Sequence, residues 1–421
     1  MTNVAASILI WSMFGASAFV FVMCLVNLLF FRKSPGVVAA SEVVNCCSRR
    51  VGPASNASAG TPDCSEVNGG PALRLSHPTR MDNVSVLIPA RNEALRIGPL
   101  IDSVLSSEGI CCEICVLDDE SQDGTDSIVL NYSREHANVR LIRGIPVPAG
   151  WSGKQFACWQ LAQHASFPEL VFLDADVALS PDALRRAVRM RQQAGADLLS
   201  GFPHQRVGTI GEQLLIPLIH LILLCFLPFG LMRWTRMTSA AAGCGQFFIT
   251  TKHAYELSGG HSSIRQSLHD GIMLPRAFRR SGLMTDLFDA SDLASCRMYT
   301  SFAETWSGLL KNAGEGFAKM PLLVVITALM LLAFVSPVLC LMAVAAGWIS
   351  STLVIPIGTS CVLSYLPRIV CCWRFDRAWL ACLLNPVAIM LFLLIQWTSL
   401  LRKRLGKSVQ WRQRSYEIAT S

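Results

Sequence analysis

Two aspartates, Asp174 and Asp176, stand one residue apart directly after the apolar run 170–173. Such a pair can offer carboxylate oxygens to a hard divalent cation, Mg2+ or Mn2+, and the cation can hold a diphosphate. By itself an Asp-x-Asp pair fits a solvated loop better. A second acidic run, Asp118 through Asp123, closes another apolar run, 113–117, and ends in Gly124-Thr125. Together the two clusters could hold a metal diphosphate and a nucleoside. Ser121 to Thr125 also reads as a plain turn with a helix cap, and both readings can hold at once. Cys112 and Cys115 form C-x-x-C but enter a predicted strand and lack a second ligand pair, which disfavours zinc. His204, His220 and His253 show no metal-ligand spacing.

These carboxylates need elements to aim them. From residue 82 onward, short β-rich runs alternate with helical stretches, the pattern of parallel strands joined by crossover helices. The spacing predicts strands over 84–89, 113–117 and 170–173, a helix over 96–107, and a helix over 181–194 with a Ser180 cap and Pro181 at its first position. Both acidic groups then follow strand C-termini. In open α/β sheets that edge is where ligands bind.

The rest of the chain is too apolar for an ordinary soluble protein: of 421 residues, 52% are hydrophobic and 15% charged. Residues 4–31 carry no charge and end in Arg32 and Lys33, which reads as an uncleaved anchor with its N-terminus outside. Residues 320–367 contain no Asp, Glu, Lys or Arg, enough for two helices turning near 347–351, and 378–401 could span as well. Residues 213–232 are uncharged but interrupted by Pro217, His220 and Pro228, favouring an interfacial or re-entrant segment over a span. Arg32, Lys33, Arg368, Arg374 and Arg377 agree on a cytoplasmic side. Arg402, Lys403, Arg404 and Lys407 disagree if the last segment spans, so either Asn385-Pro386 marks a re-entrant turn or a helix is miscounted. The net charge of +7 belongs with these flanks, and no nucleic-acid partner is expected. Cys24, Cys225, Cys340, Cys361 and Cys382 lie in apolar runs and read as buried free thiols.

Four segments occur in order: IPARNE (88–93), DDESQDGT (118–125), PAGWSGKQFACWQLA (148–162) and FLDADV (172–177). In this order and spacing they resemble family 2 glycosyltransferases with the GT-A fold, a Rossmann-like α/β architecture with a mostly parallel sheet. The Gly150-Trp151-x-Gly153-Lys154 element is similar to the membrane-bound lipid glycosyltransferases, in the branch associated with carotenoid and hopanoid glycosylation. Ceramide glucosyltransferases are more distant relatives.

The resemblance implies roles residue by residue. Pro89, Ala90, Asn92 and Glu93 match the turn that lines the nucleotide pocket, and Asp119, with Asp118 beside it, matches the acidic contact to the nucleoside. Asp174 and Asp176 match the metal pair, Asp174 also on the donor side. Lys154 matches a basic residue near the donor, where it can neutralise phosphate, although a lone Lys also reads as surface charge. Inverting transfer needs a base for the acceptor hydroxyl. Asp270 of His269-Asp270-Gly271 matches that base, with His269 where Glu is expected, so His269 either tunes Asp270 or packs or caps at a helix start. Gly245 and Gln246 in GCGQFF (243–248), and Gly260-His261, match loops near the acceptor. Lys311, in WSGLLKNAGEGF (306–317), could meet phosphate or a lipid headgroup, or snorkel near the bilayer. No Gln-x-x-Arg-Trp follows Asp270, which favours single addition over chain growth. Trp411-Arg412-Gln413-Arg414-Ser415-Tyr416 resembles a family tail motif that must be cytoplasmic to function.

The expected organisation is an anchor (1–33), a flexible linker (34–81), a GT-A domain (82–320) with an apolar interfacial insert (213–232), a transmembrane region (321–401) and a basic tail (402–421). The expected activity moves a sugar from a nucleotide-sugar donor to a lipid acceptor, using Mg2+ or Mn2+, on the cytoplasmic face of a bacterial inner membrane. A processive polysaccharide synthase and a non-catalytic membrane scaffold are the rivals.

Overall fold

The computed structural model describes residues 3–35, 83–314, 320–376, 378–405, 409–411 and 414–416. Nearly all of the expected linker, and Arg412 and Gln413 of the tail motif, lie outside the described residues.

Eight strands build one sheet: β1 (Asn83–Ala90), β2 (Cys111–Asp118), β3 (Val139–Arg143), β4 (Glu169–Leu173), β5 (Val177–Leu179), β6 (Leu198–Gln205), β7 (Phe247–Thr251) and β8 (Thr285–Cys296). Their order is β3-β2-β1-β4-β7-β6-β8-β5. The pairs β1–β2, β1–β4, β2–β3 and β6–β8 are parallel, while β7 runs antiparallel to both neighbours and β5 to β8. The strands are apolar on both faces because the sheet is covered on both. Val84, Val86 and Ile88 of β1, Ile114 and Val116 of β2, and Val171 and Leu173 of β4 feed one core. Leu87, Cys115, Leu117, Leu170 and Phe172 feed the other. That division is the two-residue period of a strand read out as two layers.

The chain leaves β1 toward β2 and β3, then returns to pair β4 on the other side of β1. The strand order therefore reverses between β1 and β4, and their C-terminal ends open on one crevice. The helix expected over 181–194 begins later, at Ala183, with Asp182 at its cap. Ser180 is held instead by the sheet, its N–H donating to Leu293 O at 2.7 Å and its hydroxyl to Asp182 at 2.8 Å.

A third core joins the sheet to the apolar helices, through Phe202 and Leu287 of the sheet and Val20, Phe31, Leu221, Phe334 and Ile389 of the helices. Among the described residues, four helices are long and apolar enough to cross a membrane: Ser7–Phe30, Leu322–Ala345, Ser351–Phe375 and Asn385–Arg404. Residues 213–232 fall into parts of three short helices, Ile210–Leu215, Leu218–Phe226 and Phe229–Trp234, with Pro217 and Pro228 at the breaks. Asn27 of the first helix mends the second break. Its amide donates to Leu224 O and Leu227 O, both at 2.7 Å, and accepts from Phe229 N at 3.3 Å.

The first helix is also wired to the sheet. Arg32 O accepts from Asp289 N at 2.9 Å, and the Asp289 carboxylate takes Arg374, which also donates to Phe31 O at 2.6 Å. The last helix runs antiparallel to Leu322–Ala345: Trp397 donates to Thr327 at 3.0 Å and Ser399 lies against Gly314. Its basic end, Arg402 to Arg404, thus lies on the side where Leu322–Ala345 begins. Arg368 departs from its expected place in a flanking loop. It lies inside Ser351–Phe375 and is fully buried, because the helix continues through Pro367 into a π-turn at Cys372–Asp376.

Candidate active site

The crevice between β1 and β4 gathers charge around one ammonium group. Lys154, in the first turn of helix Gly153–His164, places Nζ 2.6 Å from Asp174 Oδ1 and 2.8 Å from Asp270 Oδ2. The loop that carries Lys154 is stitched to the loop before Asp270: Ser152 N donates to Arg265 O at 2.7 Å, and its hydroxyl to Ser267 O at 2.9 Å. Trp151 packs against Phe156 and Trp159, which fixes the turn that Gly150 makes at φ +80. Asp174 and Asp176 follow β4 directly, and Asp174 N is held by Gln246 O at 3.1 Å. Asp270 opens helix Asp270–Arg280, and its Oδ1 accepts from Gly271 N at 2.8 Å.

These contacts set protonation states. Burial favours the neutral form of Asp270, but the neighbouring Lys154 ammonium wins and holds the carboxyl below its ordinary value. Burial likewise opposes the charge on Lys154, and the carboxylates of Asp174 and Asp270 raise it well above a free lysine. Asp176 goes the other way: burial, then the charges of Asp174 and Glu93, push it up to about 6. One of its oxygens, Oδ1, is buried without a hydrogen-bond partner, while the Cys296 thiol bonds the carboxylate. A pair of acids that repel each other, with an orphaned oxygen, fits a divalent cation. Among the described residues no group of three Asp, Glu, His or Cys is arranged to hold a metal here, so a cation would take its remaining ligands from a bound molecule.

Glu93, whose loop is joined to the one carrying the second acidic run, is close enough to act on Asp176. The loops after β1 and β2 are zipped together by Ser121 Oγ accepting from Asn92 N at 2.9 Å, Asn92 Oδ1 from Gln122 N at 2.9 Å, and Thr125 Oγ1 from Glu93 N at 2.9 Å. Asp123 accepts from Ala94 N and Thr125, so the turn-and-cap reading of that stretch holds for this residue. Asn92 and Glu120 adopt φ +53 and +58, strained values for non-glycine residues that this zipper maintains. Asp119 N bonds Ala90 O at 2.8 Å, beside Pro89. Asp118 Oδ2 accepts from Ser121 N, and its buried Oδ1 has no hydrogen-bond partner.

On the other flank, Gly245 touches Asp270: a Cβ there would overlap the carboxylate, and Lys154 donates to Gly245 O at 3.5 Å. The Gln246 side chain turns inward to Gln205 at 2.8 Å and Cys296 at 2.8 Å. Gly260 lies under the Tyr255 ring, where no side chain fits, and His261 Nδ1 bonds the Tyr255 hydroxyl at 2.8 Å. Burial pushes His261 down to about 3, so it is neutral beside the anionic pair. His269 is the N-cap residue of the Asp270 helix by backbone, with no side-chain cap bond, and its charge acts on Asp270. Lys311, half-buried near the end of helix Phe302–Ala313, is close enough to act on Asp174.

The structure therefore brings together Lys154, Asp174, Asp176, Asp270, Gly245, Gln246, His261 and Lys311, with Asn92, Glu93, Asp118 and Asp119 adjoining. Gly260 serves packing. Sequence reasoning passed over Arg91, which lies inside IPARNE and faces Asp119 at 3.8 Å and Glu120 at 3.6 Å. It also passed over Cys296, far away in sequence. C-x-x-C belongs to packing: burial pushes the Cys115 thiol up to about 12, against the Arg140 guanidinium.

Residues 85–254 match the sequence model of Glycosyl transferase family 2. A 4,4'-diaponeurosporenoate glycosyltransferase of Staphylococcus aureus strain MRSA252 is 26% identical over 345 residues, 80% of this chain and 88% of that protein. The protein of the same name from Staphylococcus haemolyticus strain JCSC1435 is 29% identical over 237 residues, 56% of this chain and 62% of its own length. A mannosyltransferase from Pyrobaculum calidifontis, solved in complex with GDP-Man and Mn2+, has a TM-score of 0.47 and 17% identity, covering 77% of this chain and 88% of that one.

Proposed function

We propose, for a chain whose residues 85–254 match the Glycosyl transferase family 2 model, the inverting, non-processive transfer of one sugar from a nucleotide-sugar donor to a lipid acceptor at the cytoplasmic face of a membrane. The observation that carries this reading is the triad in which Lys154 bridges Asp174 and Asp270, set at the strand-order reversal of a sheet whose underside packs on four apolar helices.

Roles follow from position and charge. Asn92, Glu93, Asp118 and Asp119 face the nucleoside side of the crevice. Asp174 and Asp176 would hold Mg2+ or Mn2+, which when bound supplies positive charge to the leaving diphosphate. Lys154 adds a fixed cation beside it. Asp270 stays ionised at neutral pH, ready to accept a proton. As the acceptor oxygen bonds to the anomeric carbon, its proton passes to Asp270, and the carbon–oxygen bond to the diphosphate breaks with its electrons on the nucleoside diphosphate. Gly245 leaves the acceptor side of Asp270 open because it has no side chain.

The staphylococcal relatives are named for a carboxylate acceptor. A carboxylate brings no proton, so with such an acceptor Asp270 would orient rather than deprotonate. The test is nucleoside diphosphate release from the detergent-solubilised full chain, with Mg2+ or Mn2+, offering a lipid alcohol and a lipid acid. Asp270→Asn should slow transfer to the alcohol by about 10² to 10⁴-fold. A folded variant that matches the wild type on the alcohol would remove Asp270 from the role of base. Folded wild type that turns over no donor would favour the scaffold.

A further inference from the structure

Among the described residues, the apolar helices bury one arginine whose guanidinium has neither an ion pair nor a hydrogen bond. Arg368 is fully buried, and Nε, Nη1 and Nη2 all lack a hydrogen-bond partner. Other buried arginines do not share this state. Arg279 engages all three nitrogens with Thr285, Thr235 O and Met232 O, and Arg186 pairs with Asp182 and Asp292. Arg374, further along the same helix, pairs with Asp289. A buried charge without a counter-charge is strongly destabilising, and an ionisable group inside an apolar helix is retained where it meets a ligand.

The surroundings point the same way. Ser360 and Ser364 precede Arg368 at four-residue steps and are fully buried with it, forming a polar stripe on one helix face. His220, from helix Leu218–Phe226, lies within reach of the Arg368 charge, stacks on Phe375 at 4.3 Å, and has no partner for either ring nitrogen. On another side the segment leading into the last helix docks where Tyr365 donates to Leu383 O at 3.2 Å, one turn before Arg368. Asn385, at that tip, is buried with its Oδ1 unpartnered. Trp379, Leu380 and Leu383 of the same segment expose apolar surface. Most of the unmatched atoms are donors, on a planar guanidinium suited to a bidentate oxyanion.

We infer that Arg368, with His220 beside it, holds the oxyanion headgroup of an amphipathic lipid lodged between helix Ser351–Phe375 and the segment around Asn385. Carboxylate and phosphate share this chemistry, so the lipid is either a carboxylate amphiphile or an anionic phospholipid. The inference does not rest on the glycosyl-transfer reading, because it is read out as binding.

The test uses the full chain in nanodiscs of phosphatidylcholine alone, or with phosphatidylglycerol, oleate or oleyl alcohol added. Thermal unfolding is followed in about 0.5 M salt, which screens surface attraction but not a buried site. Wild type should unfold about 3 °C higher with phosphatidylglycerol or oleate than with phosphatidylcholine or oleyl alcohol. Arg368→Gln should lose that rise, and in phosphatidylcholine alone should be at least as stable as wild type, since its unpaired charge is gone. A rise with oleate only identifies a carboxylate ligand, and a rise with phosphatidylglycerol only a phospholipid. Wild type that responds equally to anionic and neutral additives overturns the inference whatever the variant does, as does a variant that keeps the full rise.

Discussion

Two cations mark the two halves of this molecule, and they are held in opposite ways. Lys154 at the sheet edge is shared by two carboxylates within 2.8 Å, while Arg368 among the apolar helices has none. At the sheet edge the polar groups are wired in advance: loop to loop through Asn92, Ser121 and Thr125, and Lys154 to both flanks of the crevice. Preorganisation of that kind suits charge that develops during a reaction. On the helix side the match is left open. An unfilled polar site suits a ligand whose own charge completes it. On the readings proposed above, the difference separates a place where bonds would change from a place where something would be held.

The contrast can be broken at its strongest point first. Asp174→Asn leaves Lys154 bound to Asp270 alone and removes a ligand from the cation pair. Nucleoside diphosphate release should fall by about 10³-fold with the fold intact by thermal unfolding, and near-normal turnover would mean the wiring is structural. Lys154→Met comes next, at roughly 10²-fold. With the ammonium gone, burial loses its main opponent at Asp270, so the acid limb of the pH–rate profile should move to higher pH. A profile that keeps its shape would show that Lys154 does not govern Asp270.

Asp176 sharpens the same contrast through pH. Its folded value of about 6 lies above the ordinary 3.8, so the folded chain keeps this proton longer than the unfolded chain. In chelator, its contribution to stability is greatest below 3.8 and is lost as pH rises through about 6. Mn2+ binding needs the ionised form, so affinity should weaken by about 10-fold per unit as pH drops below that value. Calorimetric titration at several pH values checks this, and a flat affinity would exclude Asp176 as a ligand. The smallest effect is Asn27→Ala, which orphans Leu224 O, Leu227 O and Phe229 N at a cost of about 1–3 kcal/mol in denaturant unfolding. A paired polar residue on the helix side should thus cost stability where unpaired Arg368 does not.

Local pattern carried the sheet and the carboxylates. The two-residue period of 84–89 and 170–173 is physically the same fact as the two core layers, and Asp174 was visible because it ends such a run. Contacts between distant segments leave no local pattern. Nothing near Lys154 announces Asp270, nothing near Asn27 announces the break at Pro228, and nothing near Asp176 announces Cys296. Arg368 misled because a charge at the end of an apolar stretch usually marks water. Here the helix runs on past it, since Pro367 and the π-turn bend the backbone without ending it. The course of the last helix was left in the sequence as one of two ways to reconcile basic residues with a side.

Asp289 binds the backbone after the first helix and the end of the third at once, and Ser34 is held by Arg186. The candidate crevice is consequently held at a set distance from the apolar helices, like a tool clamped to a bench. Such an enzyme would choose among lipids partly by stature: a reactive group carried too high or too low on its molecule would miss the crevice, even where its chemistry is right.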